Sequence, residues 1–103
     1  MEIKRKPTHP GEILREDFLK PLNLSQVGLA EALGTTFRTV NEIVNERRNL
    51  SPEMAVKLAR YFGTSEEVWL NLQNQHDIHR VKIRDKKKLV RIKPLRTAHA
   101  TRP

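Results

Sequence analysis

The residues with the clearest chemical potential lie on one side of a short predicted helix between residues 36 and 45. An arginine can donate two hydrogen bonds to guanine, an asparagine amide can pair with adenine, and an aromatic ring can contact the methyl group of thymine. Such residue types occupy the outward positions of this helix, where we expect them to contact base edges in DNA. They are Thr36, Phe37, Arg38, Asn41 and Glu42.

Arg38 and Glu42 each have more than one possible role. They stand four residues apart, which is the spacing of a helical ion pair, so Arg38 can bind a guanine, a phosphate or Glu42 itself. Glu42 can accept a hydrogen bond from cytosine or only orient Arg38. One good bidentate base contact discriminates between sequences by about 1–3 kcal/mol, so this choice decides how much specificity the helix supplies.

A second set of polar residues flanks this helix and predicts contacts to DNA phosphates. Gln26 begins the preceding helix, where free backbone N–H groups favour an anion. Asn45, Arg47 and Arg48 follow the base-contacting helix, where the chain is expected to pass the second strand. The alternative for the two arginines is a role in solubility, because exposed arginines are common.

Two apolar stripes predict the elements that position these side chains. Ser25 is the expected N-cap of the first element, and Gly34 follows its last apolar residue, where glycine readily adopts a left-handed conformation. The pattern predicts a helix-turn-helix, which places its second helix in the DNA major groove, although an ordinary helical hairpin is the alternative. The stripes consist of Leu29, Ala30 and Leu33 and, after the turn, of Val40, Ile43 and Val44.

Other boundary residues predict three further helices. The first helix of the chain is expected to end at Pro21, because proline lacks the backbone N–H group. Ser51 is the expected N-cap of the fourth helix. A capping box from Thr64 to Glu67 is expected to start the fifth. The sequence therefore predicts an all-α domain of five helices between residues 10 and 79.

The fifth helix carries three apolar residues, Val68, Trp69 and Leu72, that have two possible partners. They can complete the core of their own chain, or they can form a dimer seam with a second copy. Burying one aromatic side chain contributes about 1.5–3 kcal/mol, which matters in a domain of this size. Composition does not separate the two interpretations.

The positive charge of the chain is concentrated at its C-terminus. Residues 80–103 contain ten Lys or Arg and one acid, whereas residues 1–79 contain 10 basic and 11 acidic residues. We therefore divide the chain into an N-terminal arm (1–8), a helix-turn-helix domain (9–79) and a basic tail (80–103). Alternating apolar and basic residues at 81–84 and 90–93 predict a short strand hairpin in the tail, and disorder is the alternative, favoured beyond Pro94.

Composition also bears on the classes of protein that the chain can belong to. The absence of cysteine favours a reducing cytoplasm, and no apolar run is long enough to span a membrane. His76 and His79 share a helix face but lack a third ligand at suitable spacing, so we expect no metal site. We find no catalytic or phosphate-loop motif, and we therefore expect no enzymatic activity and no cofactor.

Four segments together resemble the HigA-type antitoxins, a branch of the Xre-like helix-turn-helix repressors. They are HPGEIL (9–14), LSQVGLAEALG (24–34), VNEIVNERR (40–48) and LARYFGTSEEVWLNLQ (58–73). The resemblance implies a five-helix, lambda-repressor-like homodimer that binds operator DNA, represses its own operon and neutralises a HigB/RelE-like toxin that cleaves mRNA on the ribosome. A repressor of the Xre family without a toxin partner is the alternative.

Two features depart from the family pattern. Glu46 stands where the family usually has glycine, in the turn after the base-contacting helix. The basic tail exceeds what the pattern requires, and it can be a nonspecific nucleic-acid arm or a segment that contacts a partner protein.

Overall fold

The computed structural model describes residues 7–95, which form six helices and no strand. The all-α prediction is therefore confirmed for this part of the chain. Most of the predicted N-terminal arm and the tail beyond Leu95 lie outside the described residues. The helices are α1 (10–22), α2 (Gln26–Leu33), α3 (Phe37–Val44), α4 (Pro52–Phe62), α5 (Glu66–Arg84) and α6 (Lys86–Val90).

Most predicted helix ends are confirmed by their caps. The Ser25 hydroxyl accepts a hydrogen bond from the Gly28 backbone N–H group at 2.9 Å, and Gly34 ends α2 in the left-handed conformation (φ 70°). Ser51 caps α4 in the same way as Ser25 caps α2. The predicted capping box is wrong, because Ser65 rather than Thr64 is the N-cap of α5.

Helix α1 continues through Pro21, contrary to the prediction that this proline would end it. The helix begins as Pro10–Ile13, widens into a π-helical segment at Leu14–Leu19 and closes with Lys20–Leu22. In an α-helix the Pro21 ring would clash with the carbonyl group four residues earlier, and a wider turn before the proline relieves that clash. The helix ends one residue later, at Leu22, and its C-cap Asn23 adopts a left-handed conformation (φ 53°).

The side chain of Trp69 lies in the core of a single chain. It is 0% exposed, its ring centroid lies 5.3 Å from that of Phe18, and its indole N–H group donates to the Thr64 hydroxyl at 2.8 Å. Because Trp69 has no exposed surface left to bury, it cannot contribute to the predicted dimer seam. Val68 remains 48% exposed, whereas Leu72 is half-buried against the core.

The predicted strand hairpin in the tail is wrong. Residues 81–84 form the last turn of α5, and only Asp85, with φ −104° and ψ 22°, separates this helix from α6. Lysine and arginine are good helix formers, and continuing an existing helix needs no new nucleation, so the alternating pattern does not form strands. No helix within residues 7–95 is long and apolar enough to cross a membrane.

Candidate nucleic-acid interface

The N-terminal end of α3 exposes three of the side chains that were predicted to contact bases, Thr36, Phe37 and Arg38, whereas Asn41 and Glu42 are half-buried. Phe37 is 50% exposed, and the Arg38 side chain is 84% exposed. Thr36 is the N-cap, since its hydroxyl accepts from the Thr39 backbone N–H group at 3.1 Å. The opposite face of the helix, formed by Val40 and Ile43, is buried. The element therefore presents a polar and aromatic face to solvent, as the sequence predicted.

Glu42 holds two arginines on this face. Its carboxylate accepts from Arg38 Nε at 3.0 Å and from Arg48 Nη2 at 2.7 Å. The hydrogen bonds from Arg48 and Arg38 lower the pKa of Glu42, which keeps the carboxylate charged. The helical ion pair that the spacing allowed is thus present. Exposed ion pairs of this kind contribute little to stability, so Arg38 can exchange Glu42 for a base edge at small cost.

Gln26 and Asn41 form a polar contact between α2 and α3. The Asn41 amide donates to Gln26 Oε1 at 3.0 Å in a half-buried position. The Asn41 Oδ1 atom and the Gln26 amide group are still able to bind further partners. The structure thus brings the predicted phosphate-contacting Gln26 beside the predicted base-contacting Asn41.

The residues that follow α3 take different roles. The Asn45 amide donates to the Asn41 carbonyl oxygen at 3.0 Å and closes the end of the helix. Glu46, in the place where the family usually has glycine, adopts a left-handed conformation with φ 61°. Arg47 and Arg48 are both exposed, and Arg48 is the one that binds Glu42. Arg47 is therefore the less constrained of the two cations.

The N-terminus of α1 supports the C-terminal end of α3. A Cβ atom on Gly11 would lie 1.8 Å from the Ile43 carbonyl oxygen, so only glycine allows this approach of the two backbones. The Arg15 guanidinium group donates to the Val44 carbonyl oxygen at 2.7 Å. Sequence analysis identified neither contact. A glycine one residue inside a helix, where it costs stability, was the available signal.

Gln73 connects α5 to the loop after α3 and was not singled out from the sequence. Its side chain is buried, accepting from the Leu50 backbone N–H group at 2.7 Å and donating to Asp77 Oδ1 at 2.9 Å and Asn49 Oδ1 at 3.3 Å. It lies one helical turn after Trp69, on the buried face of α5. A polar residue on an apolar stripe was the signal for a buried hydrogen-bonding role.

His9 is the N-cap of α1. Its Nδ1 atom accepts from the Gly11 backbone N–H group at 2.8 Å, and its ring stands edge-on to that of His76 with centroids 4.7 Å apart. Burial, together with the neighbouring His76, lowers the pKa of His9 from its ordinary value of 6.5. Neutral His9 is the form that can accept this hydrogen bond. Within residues 7–95, no three His, Cys, Asp or Glu residues are grouped as metal ligands.

Comparisons with known proteins agree with this geometry. A helix-turn-helix family model (HTH_3) matches residues 16–69. The chain is 43% identical over 101 residues to an uncharacterized helix-turn-helix transcriptional regulator of Haemophilus influenzae, covering 96% of this chain and 94% of the relative. It is 36% identical to antitoxin HigA-1 of Vibrio cholerae over 94 residues, covering 91% of this chain and 89% of that protein.

The fold has a solved counterpart bound to DNA. The structure of Pseudomonas aeruginosa antitoxin HigA with the higBA promoter superposes with a TM-score of 0.84 at 43% identity, over 87% of this chain and 99% of that one. The Haemophilus alignment also reaches into the basic tail, so a tail of this length is not peculiar to this chain. The chain belongs to the Xre-like helix-turn-helix family of HigA-type antitoxins.

Proposed function

We propose that this protein is an operator-binding antitoxin that represses its own operon and neutralises a HigB/RelE-like toxin. The observation that carries the DNA-binding part is the exposed face of α3, where Arg38 projects into solvent while the apolar side of the helix is packed in the core. A rigid helix with one solvated polar face is what insertion into the major groove requires. The proposal includes no cofactor and no enzymatic activity, and it places the protein in the cytoplasm.

Within this function, the first group of side chains is proposed to contact bases. Arg38 binds guanine after releasing Glu42, and Asn41 binds adenine while Gln26 holds its amide. Phe37 contacts a thymine methyl group. Thr36, as the N-cap, and Glu42, as the partner of Arg38, mainly orient the helix and the arginine.

The second group is proposed to contact phosphates. Arg47 approaches the backbone directly, whereas Arg48 also holds Glu42. Gln26 adds its free amide group at the N-terminus of α2, and Asn45 adds the second N–H of its side-chain amide beside the turn. Each cation that neutralises a phosphate contributes to the salt dependence of binding.

A homodimer is the proposed assembly, since paired half-sites need two copies of the recognition helix. Val68 and Leu72 remain the candidate seam residues after Trp69 has been assigned to the core. A charged substitution at the exposed Val68, such as Val68→Glu, is expected to weaken dimerisation, as measured by sedimentation, without unfolding the chain. Unchanged dimerisation would place the seam elsewhere.

The decisive experiment separates the antitoxin from a repressor that has no toxin partner. The protein is produced together with the product of the neighbouring gene, and ribosome-dependent mRNA cleavage is measured with and without this chain. Repression is measured in parallel with a reporter driven by the DNA upstream of the gene. An antitoxin suppresses cleavage and represses the reporter. Repression without any bound or inhibited toxin identifies the alternative, and loss of both effects contradicts the proposal.

A further inference from the structure

The end of α5, helix α6 and the residues directly after it form a strongly basic segment. Residues 80–95 contain eight Lys or Arg and one acid, Asp85. The structure pairs Arg84 with Asp85 through hydrogen bonds of 3.0 and 3.1 Å. Within residues 7–95, none of the other seven cations has a carboxylate partner within salt-bridge distance. A large unneutralised charge is thus carried by the end of α5, by α6 and by Arg91 and Lys93 after it.

Helix α5 leaves the domain beside the loop of residues 45–48, which follows α3 and is proposed to contact phosphates. Gln73 is hydrogen-bonded to Leu50 and Asn49, which follow that loop, and His76 contacts His9 at the N-terminus of α1. The same end of α1 supports the C-terminal end of α3. With a rise of about 1.5 Å per residue, the helix carries its cations roughly 10–16 Å beyond Gln73.

The rest of the domain supplies little charge for phosphate binding. Residues 1–79 have a net charge of −1, and near α3 the cations Arg38 and Arg48 share the carboxylate of Glu42. Contacts to phosphates supply a large share of the affinity of DNA-binding proteins. A domain with so few available cations therefore gains affinity for DNA from a charged segment next to the loop of residues 45–48.

We propose that the cations of residues 80–93 bind DNA phosphates outside the base pairs contacted by α3, as a second and sequence-independent contact. The inference rests on the proposed operator binding. Because residues 80–84 and 86–88 are helical, their cations are held on a scaffold that loses less conformational entropy on binding than a flexible tail would lose.

An acidic partner protein is the competing ligand for this surface. Ile78, Val81 and Leu89 line an apolar groove of about 350 Å³ between α5 and α6, which an amphipathic helix could contact. DNA is favoured because the cations continue past the groove to Arg91 and Lys93, and because α5 contacts, through Gln73, the segment that directly follows the loop proposed to contact phosphates.

Two double variants with equal loss of charge test the proposal. Lys87→Gln/Lys88→Gln removes two charges from α6. Lys57→Gln/Arg60→Gln removes two from α4, where these residues line a hollow with Ala32 and Leu33 that includes none of the proposed DNA-contacting residues. Operator affinity is measured against salt concentration on a short duplex and on one extended by about ten base pairs on each side, about one helical turn of DNA. Circular dichroism checks that both variants remain folded.

The tail variant is expected to reduce the magnitude of the salt slope by about 1–2 and to weaken binding about tenfold at moderate salt, mainly on the extended duplex. The α4 variant is expected to keep the wild-type slope, and the tail variant is expected to keep the wild-type preference for operator over scrambled DNA. Equal slopes for the two variants on the extended duplex overturn the proposal. If the tail variant, but not the α4 variant, then fails to bind the toxin, the basic surface binds a protein instead of DNA.

The proposed operator reading fails in a different way. If Arg38→Ala keeps the wild-type sequence preference, base contact by α3 is wrong, whereas the tail contact is still judged by its own salt slope. The two failures are therefore distinguishable in one set of titrations.

Discussion

The N-terminal end of α3 presents Phe37 and Arg38 to solvent, whereas its C-terminal end is packed against α1 and the loop that α5 supports. At the exposed end the contacts are side-chain ion pairs that can exchange. At the packed end they involve the backbone, through the close approach of Gly11 to Ile43 and the hydrogen bond from Arg15 to Val44. The difference indicates that the position of the helix is fixed at one end and that the other end is left free for the proposed base contacts.

The largest effect is expected from Gly11→Ala, which attacks the packed end directly. The added Cβ atom would lie 1.8 Å from the Ile43 carbonyl oxygen, so α1 and α3 must separate. We expect a loss of about 2–3 kcal/mol in the free energy of unfolding, measured with urea, and weakened operator binding. Gly34→Ala is the control, since it has φ 70° but open space around its Cβ position, and should cost only about 1 kcal/mol. Equal losses would mean that the close approach carries no particular strain.

The next effect concerns the support that α5 gives to the loop. Gln73→Leu keeps side-chain volume but leaves the Leu50 backbone N–H group without its 2.7 Å partner. We expect a loss of about 1–3 kcal/mol in the free energy of unfolding. Asn74→Leu, at the exposed neighbouring position of the same helix, serves as the control and should change stability little. If the Gln73→Leu protein is as stable as wild type, the hydrogen bond between Gln73 and Leu50 does not stabilise the fold.

A pH titration of stability examines the N-cap of α1. Burial and His76 lower the pKa of His9, with Arg80 acting in the same direction and Glu46 and Asp77 opposing it. As pH falls below 6.5, the unfolded chain therefore binds a proton that the folded chain resists, and stability decreases. His9→Asn keeps a capping acceptor without a titrating ring, so its stability should depend less on pH in this range. If chemical denaturation gives the same dependence of stability on pH for wild type and His9→Asn, the titration of His9 does not affect stability.

The smallest effect should come from Glu46→Gly, in the turn after α3. Glu46 has φ 61°, a conformation in which a side chain is strained and glycine is not. We expect a gain of about 0.5–1 kcal/mol in the free energy of unfolding, with no change in DNA sequence preference. Arg47→Gly, one residue later, gains no such relief and should not stabilise the protein. A destabilised Glu46→Gly variant would show that the Glu46 side chain makes a contribution that outweighs its strain.

The elements predicted best were those with a local signal. Ser25, Ser51 and Gly34 act as predicted because a cap is decided by residues within one turn, and the buried stripes of α2 and α3 follow from helical periodicity. The helical structure of residues 81–84 was not predicted, because alternation within four residues does not reveal that a preceding helix, stabilised by Trp69 and Gln73, continues through them.

The candidate site shows the same division. The outward positions of Phe37 and Arg38 could be predicted, since they follow from which residues of α3 point inward. The contacts from Gly11, Arg15 and Gln73 could not, because they join segments that are distant in sequence and depend on how three helices pack. The pairing of Glu42 with both Arg38 and Arg48 lies between these cases, as only its i, i+4 half was visible.

The most direct test of the account compares the DNA sequences selected from a randomised pool by wild type, Arg38→Ala and Arg47→Ala. Arg38→Ala is expected to lose preference at one or two positions, equivalent to about 1–3 kcal/mol of discrimination. Arg47→Ala should keep the wild-type preference while binding all sequences more weakly, with a salt slope smaller by about one. If Arg38→Ala selects the same sequences as wild type with the same discrimination, Arg38 does not contact bases and the central claim is wrong.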